Sequence, residues 1–125
     1  MEILISNSSG KPIYEQITAQ IKSQIMDGTL AAGDALPSMR TLAKELRISV
    51  ITTKRAYEDL ERDGFLETVP GKGCFVAAQN TDLLREESLR QAETAIGQAV
   101  EIAKKGGISQ AELLEMVALF WEESK

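Results

Sequence analysis

Residues 38–63 hold two runs of helical period, each preceded by a serine, with a short turn between them. Leu42, Ala43 and Leu46 mark the inward side of the first run, which spans Met39 to about Leu46. The second begins after Ser49 and runs to about Asp63, where Gly64 ends it. Ser38 and Ser49 precede the two runs, and serine suits an N-cap because its hydroxyl oxygen accepts from a free N–H of the first turn. Arg47-Ile48 is left as a tight turn. FLETV, PGKG and CFVA follow, two β-rich segments joined by a glycine-containing turn, which predicts a hairpin.

That order is the pattern of a winged helix-turn-helix, which places its second helix in the DNA major groove. In the second helix Thr53, Ala56, Tyr57 and Leu60 share one face, with Ile48 just before it, and that face is expected to pack inward. The other side presents Val50, Ile51 and Lys54, flanked by Arg55 and Glu58. Either this apolar pair meets a partner such as thymine methyls, or Ile51 turns partly inward and Val50 is incidental. In the hairpin, Gly71 and Gly73 let the backbone come close to a phosphate, and Lys72 sits at the tip; alone, such a turn is also an ordinary flexible one.

The flanking segments supply support. Residues 1–10 suggest a short extended arm, with Ile3 and Ile5 alternating with polar residues before Ser, Asn and Gly break the pattern. Pro12 suits the first position of a helix, whose stripe of Ile13, Ile17, Ile21 and Ile25, with Tyr14 and Met26 alongside, is expected in the core up to a stop at Gly28. Residues 29–37 are expected to form a loop. Residues 79–82 suggest a boundary, with Thr81 or Asp82 capping a long helix from Leu83 to about Lys105. Its stripe is Leu89, Ala92, Ile96, Ala99 or Val100, and Ala103. Gly97 either weakens that helix or marks the close approach of another. After Gly106-Gly107, Ser109-Gln110-Ala111-Glu112 matches a capping box, and the last helix carries Leu113, Met116 or Val117, Phe120 and Trp121 on one side.

The expected fold class is therefore mostly α with a small β-hairpin: an arm (1–10), a winged helix-turn-helix (11–78) and a C-terminal helical hairpin (79–125). A 47-residue hairpin is too small to bury its own stripes. Pairing with a second copy, through Leu89, Ala92, Ile96, Ala99, Val100, Leu113, Val117, Phe120 and Trp121, is the simplest remedy. Docking of Phe120 and Trp121 on the first domain is the other.

Composition narrows the chemistry. The 125 residues include no histidine and one cysteine, which rules out Ser-His-Asp and Cys-His catalysis and an internal disulfide. No metal site or cofactor is expected, and neither is an enzyme. Cys74 reads as a small apolar strand residue, with a redox-sensing thiol as the alternative. The net charge of −5 is unevenly spread: residues 1–78 hold 9 Lys/Arg and 10 Asp/Glu, a net of −1, and residues 79–125 hold 5 and 9, a net of −4. A near-neutral domain binds DNA when its cations gather on one face. No apolar run reaches the roughly 18 residues of a membrane span, and the start MEILISNSSGK lacks the form of a secretory signal, so a cytoplasmic location is expected.

The string PSMRTLAKELRISVITTKRAYEDLERDGFLETVPGKGCFV resembles the DNA-binding domain of the GntR family of bacterial transcription regulators. The matching positions are Leu36-Pro37-Ser38, Arg40, Leu42-Ala43, Leu46, Ile48-Ser49, Thr52, Ala56, Leu60, Gly64, Gly71, Gly73, Phe75 and Val76. The short two-helix tail, Tyr57 within KRAYEDLE and the PGKG turn look like the YtrA subfamily, whose members are dimers and often control transporter operons. The resemblance implies DNA contacts from Arg40, from Ser49, Val50, Ile51, Thr52 and Lys54, and from Gly71, Lys72 and Gly73. One departure stands out: many members carry arginine where this chain has Val50, so a bidentate guanine contact is lost and the family's common operator does not carry over. Arg40 and Lys54 then become the expected base or phosphate readers, while Arg55 and Lys44 are either phosphate contacts or solvated charges. The expectation is a homodimeric repressor on an inverted-repeat operator, with an effector of unknown identity; a protein-interaction module is the alternative.

Overall fold

The computed structural model describes residues 1–78 and 81–124, the Thr81 side chain excepted, and divides them into two compact units, Met1–Leu83 and Leu84–Lys125. The element order is α1 (Ile13–Met26), α2 (Met39–Leu46), α3 (Val50–Arg62), β1 (Leu66–Val69), β2 (Gly73–Val76), α4 (Thr81–Gly106) and α5 (Gln110–Glu123). The helix-turn-helix, hairpin and two-helix tail thus stand where the sequence puts them. Residues 79 and 80, part of the expected boundary, lie outside the described residues, and Thr81 and Asp82 stand inside α4 rather than ahead of it.

In the first unit α1 and α2 both pack on α3. Ile17, Ile21 and Ile25 of α1 are buried, as are Leu42 and Ala43 of α2 and Thr53, Ala56, Tyr57 and Leu60 of α3. Ile13 and Leu46 end the stripes half-buried. Phe65, Leu66 and Val76 close the core from the hairpin side. Each fully buried aliphatic side chain contributes about 1.5–3 kcal/mol relative to exposure, so this shared core rather than helix propensity holds the short helices. Pro12 is the N-cap of α1 rather than its first residue.

Two features depart from the sequence reading. Residues 29–37 are not simply a loop: Leu36 N–H donates to the Cys74 carbonyl (2.9 Å), Val76 N–H to Asp34 (2.9 Å), and Ala35 bridges Phe75, so β2 has neighbours on both sides. The segment is too short to show alternation between Gly33 and Pro37. The arm, meanwhile, is pinned by side chains. Gln20 accepts from Leu4 N–H (2.8 Å) and donates to Leu4 O (2.6 Å), and Gln16 does the same with Ser6 (2.8 and 2.9 Å). Gln24 donates to Glu2 O (2.7 Å). Glutamines every fourth residue on α1 thus meet every second residue of the arm, and Ile3 is buried.

Tyr57 ties α3 to the start of α2, its hydroxyl donating to the Pro37 carbonyl at 2.8 Å. Burial pushes its phenol well above the ordinary 10.0. The protonated phenol is the form the fold holds, so its contribution is complete below pH 10 and is lost as pH rises beyond it. Tyr57→Phe is expected to lower unfolding stability by about 1–2 kcal/mol at neutral pH, because a carbonyl loses its donor. Urea unfolding of parent and variant should show the gap narrowing above pH 10; a constant gap would mean that the phenol carries no such linkage.

In the second unit, Ile108 N–H donates to Ala103 O (2.9 Å) at the bend between the helices, and Ala103 is buried. Ser109 caps α5, accepting from Glu112 N–H at 3.2 Å; the Glu112 carboxylate accepts from the Ser109 hydroxyl (3.1 Å) rather than from its backbone. A Cβ on Gly97 would meet nothing within 4 Å, so no described part of this chain approaches it closely. No helix among the described residues is long and apolar enough to cross a membrane.

Candidate nucleic-acid interface

The caps of α2 and α3 repeat one chemical device. Ser38 Oγ accepts from Thr41 N–H (3.1 Å) and donates to Thr41 Oγ1 (2.9 Å). Ser49 does the same with Thr52, at 3.1 and 2.8 Å. The Ser49 hydroxyl is therefore committed to the cap both as donor and as acceptor, and the turn presents outward its backbone and the two side chains that follow Ser49. Those are apolar: Ile51 is 81% exposed and Val50 44% exposed. The inward turning of Ile51 weighed from the sequence is not observed. Its neighbours Thr53 and Ala56 occupy the buried side, and the helical period turns Ile51 away from them.

The cations differ in how free they are. Arg40, in the first turn of α2, is exposed. Lys54 faces Glu58 at 3.8 Å, but both are more than half exposed, and such a pair is worth only a few tenths of a kcal/mol, so a phosphate would readily displace it. Arg55 is exposed, and its guanidinium lies over the Tyr14 ring, 3.8 Å from the centroid, a contact that neither expectation included. It thereby joins α3 to α1.

The wing has the geometry its sequence demands. Lys72 N–H donates to Val69 O at 2.9 Å, and Gly71 takes φ 78°. This is a type II turn with Pro70 at its second position and Gly71 at its third, where a side chain would be strained. Lys72 is exposed at the tip. The antiparallel register runs from Leu66↔Val76 to Val69↔Gly73. Cys74 is half-buried in β2, and burial pushes its thiol up.

In the second unit none of the described residues of α5 is buried. Phe120 is 64% and Trp121 72% exposed, and Leu89, Ala92, Ile96 and Val117 are exposed too. Ala99, Val100 and Leu113 are half-buried. Ile102, Leu114 and Leu119, at over half exposure, were not among the residues read from the sequence. The apolar face of α5 is wider than that stripe, with Glu112, Glu115, Glu122 and Glu123 gathered on the remaining side; the run LLEMVALFW is the signal that marks it.

Residues 13–76 match the family described as "Bacterial regulatory proteins, gntR family". The chain belongs to the GntR family. The similarity extends past that region: over 115 residues the chain is 33% identical to the HTH-type transcriptional repressor YtrA of Bacillus subtilis (strain 168), covering 92% of this chain and 88% of YtrA. A GntR family transcriptional regulator from Listeria monocytogenes superposes with TM-score 0.73 at 31% identity, over 89% of this chain and 96% of that one. The DNA-binding domain of AraR, solved in complex with operator ORX1, superposes with TM-score 0.54 at 30% identity, over 62% of this chain and 96% of that one. This GntR-family chain is a DNA-binding transcription regulator of a non-enzymatic family, with the YtrA form of short tail.

Proposed function

We propose that this GntR-family chain is a homodimeric repressor of an inverted-repeat operator. The arm (1–10) braces a DNA-binding domain (11–78), and residues 79–125 pair two copies. The observation that carries the pairing is α5: its apolar face is wide, none of its described residues is buried, and Phe120 and Trp121 stand open, a face that needs a partner. A two-fold axis through that region makes the bound site two-fold as well. In each half-site α3 enters the major groove. Val50 and Ile51 meet thymine methyls, and the backbone N–H groups at its start, which Ser49 and Thr52 hold in place, face phosphate. Arg40 and Lys54 supply charge, and the Gly71-Lys72-Gly73 tip approaches the adjacent backbone. An effector would act by changing the spacing of the two copies of α3.

Two further supports are the YtrA repressor similarity along most of the chain and the operator-bound AraR domain. The experiment is nuclease protection of the DNA upstream of the protein's own gene, followed by selection from random sequence, each at two salt concentrations. The expected result is a symmetric footprint whose affinity falls steeply with salt, by about 0.9 in log–log slope for each phosphate neutralised. A selected site lacking two-fold symmetry would overturn the dimer. Selection returning no sequence would favour a protein-interaction module.

A further inference from the structure

Among the described residues, eight have positive φ, and seven are glycines; the eighth is Arg47 (φ 57°, ψ 47°), in the turn between α2 and α3. A residue with a Cβ is strained there, and glycine would hold the same turn more easily. The turn is closed by the Arg47 N–H, directed at the Ala43 and Lys44 carbonyls, and a glycine N–H would do the same. The backbone therefore gives no reason for arginine.

The fold gives none either. Arg47 is exposed, and no acid or ring among the described residues pairs with it. Several other cations of this unit are engaged: Lys22 with Asp63 and Phe65, Lys54 with Glu58, Arg55 with Tyr14, and Arg62 with Asp59 and Asp63. Arg40, Lys44 and Arg47 have no such partner among the described residues. Arg40 and Lys44 stand one helical turn apart on the exposed side of α2, opposite the buried Leu42 and Ala43, and Arg47, also exposed, follows in the turn at its C-terminal end. In a helix-turn-helix the first of the two helices crosses the DNA backbone.

We propose that Arg47 is a phosphate contact, the last cation of a row Arg40–Lys44–Arg47 laid along one DNA strand. It supplies from the turn a charge that the apolar start of α3, Val50-Ile51, does not. This rests on the DNA-binding reading above.

The test uses the full chain, a duplex selected from random sequence by the parent protein, and an unrelated duplex of equal length. Arg47→Gly is expected to melt no lower than the parent, because glycine relieves the strained φ. It is expected to bind both duplexes about tenfold more weakly, with a log–log salt slope shallower by about 1 per protomer. Arg47→Lys keeps the charge and should keep most of the affinity and the slope. Parent-like affinity and slope for Arg47→Gly would overturn the proposal. So would a loss confined to the selected duplex, which would mark a base contact. A parent that selects no duplex at any salt would instead overturn the DNA-binding reading beneath it.

Discussion

Arg40→Ala is expected to weaken operator binding by about 30-fold or more while leaving unfolding stability within about 0.5 kcal/mol of the parent. The two halves of that expectation have separate causes. Arg40 is exposed in the first turn of α2, and the cap there is made by Ser38 and Thr41, so alanine removes no partner and suits a helix better. On DNA, a well-placed arginine contact is worth about 1–3 kcal/mol, and a symmetric dimer loses it twice. Since 1.4 kcal/mol is tenfold in affinity, even the lower end is severe. Gel-shift titration beside urea unfolding measures both halves. Parent-like binding would remove Arg40 from the interface, and a large loss of stability would mean that it serves the fold.

Replacing Phe120 and Trp121 together by serine is expected to convert a dimer into a monomer and to weaken operator binding by 10²–10⁴-fold. Both side chains are more than 60% exposed within one chain, so their removal opens no cavity there and leaves the first unit intact. What is lost is the partner's surface and, with it, the effective concentration that makes the second half-site almost intramolecular. Sedimentation of parent and variant, with circular dichroism to show that helix content persists, decides it. A parent that sediments as a monomer would refute the pairing outright. A variant that remains dimeric would place the interface elsewhere.

These expectations differ in how early they become visible. The caps at Ser38, Ser49 and Ser109 are legible as a serine followed three residues later by Thr or Glu, because a cap is a local bargain between a hydroxyl and a nearby N–H. The inward faces of α1 and α3 are equally legible, since the helical period needs no knowledge of what lies opposite. The PGKG turn is set by proline's fixed φ and glycine's freedom. Arg55 shows the limit. Its sequence neighbourhood describes an exposed basic helix, and only the packing of α1 on α3 brings Tyr14 beneath it. α5 shows a related limit: periodicity finds the centre of its apolar face but not how wide that face is.

What the sequence determined by itself is therefore local: where the helices begin and end, which faces of the first three go inward, and that a wing follows a helix-turn-helix. The tertiary structure decided which cations are free and which are spent on the fold. It also paired residues 33–36 with β2 and set Gln16, Gln20 and Gln24 against the backbone of the arm. These depend on segments distant in sequence meeting at hydrogen-bond range, and no propensity or period encodes that. Arg47 belongs to both levels: its place in the turn is written in the chain, but its left-handed backbone and its freedom appear only once α2 and α3 are folded against each other.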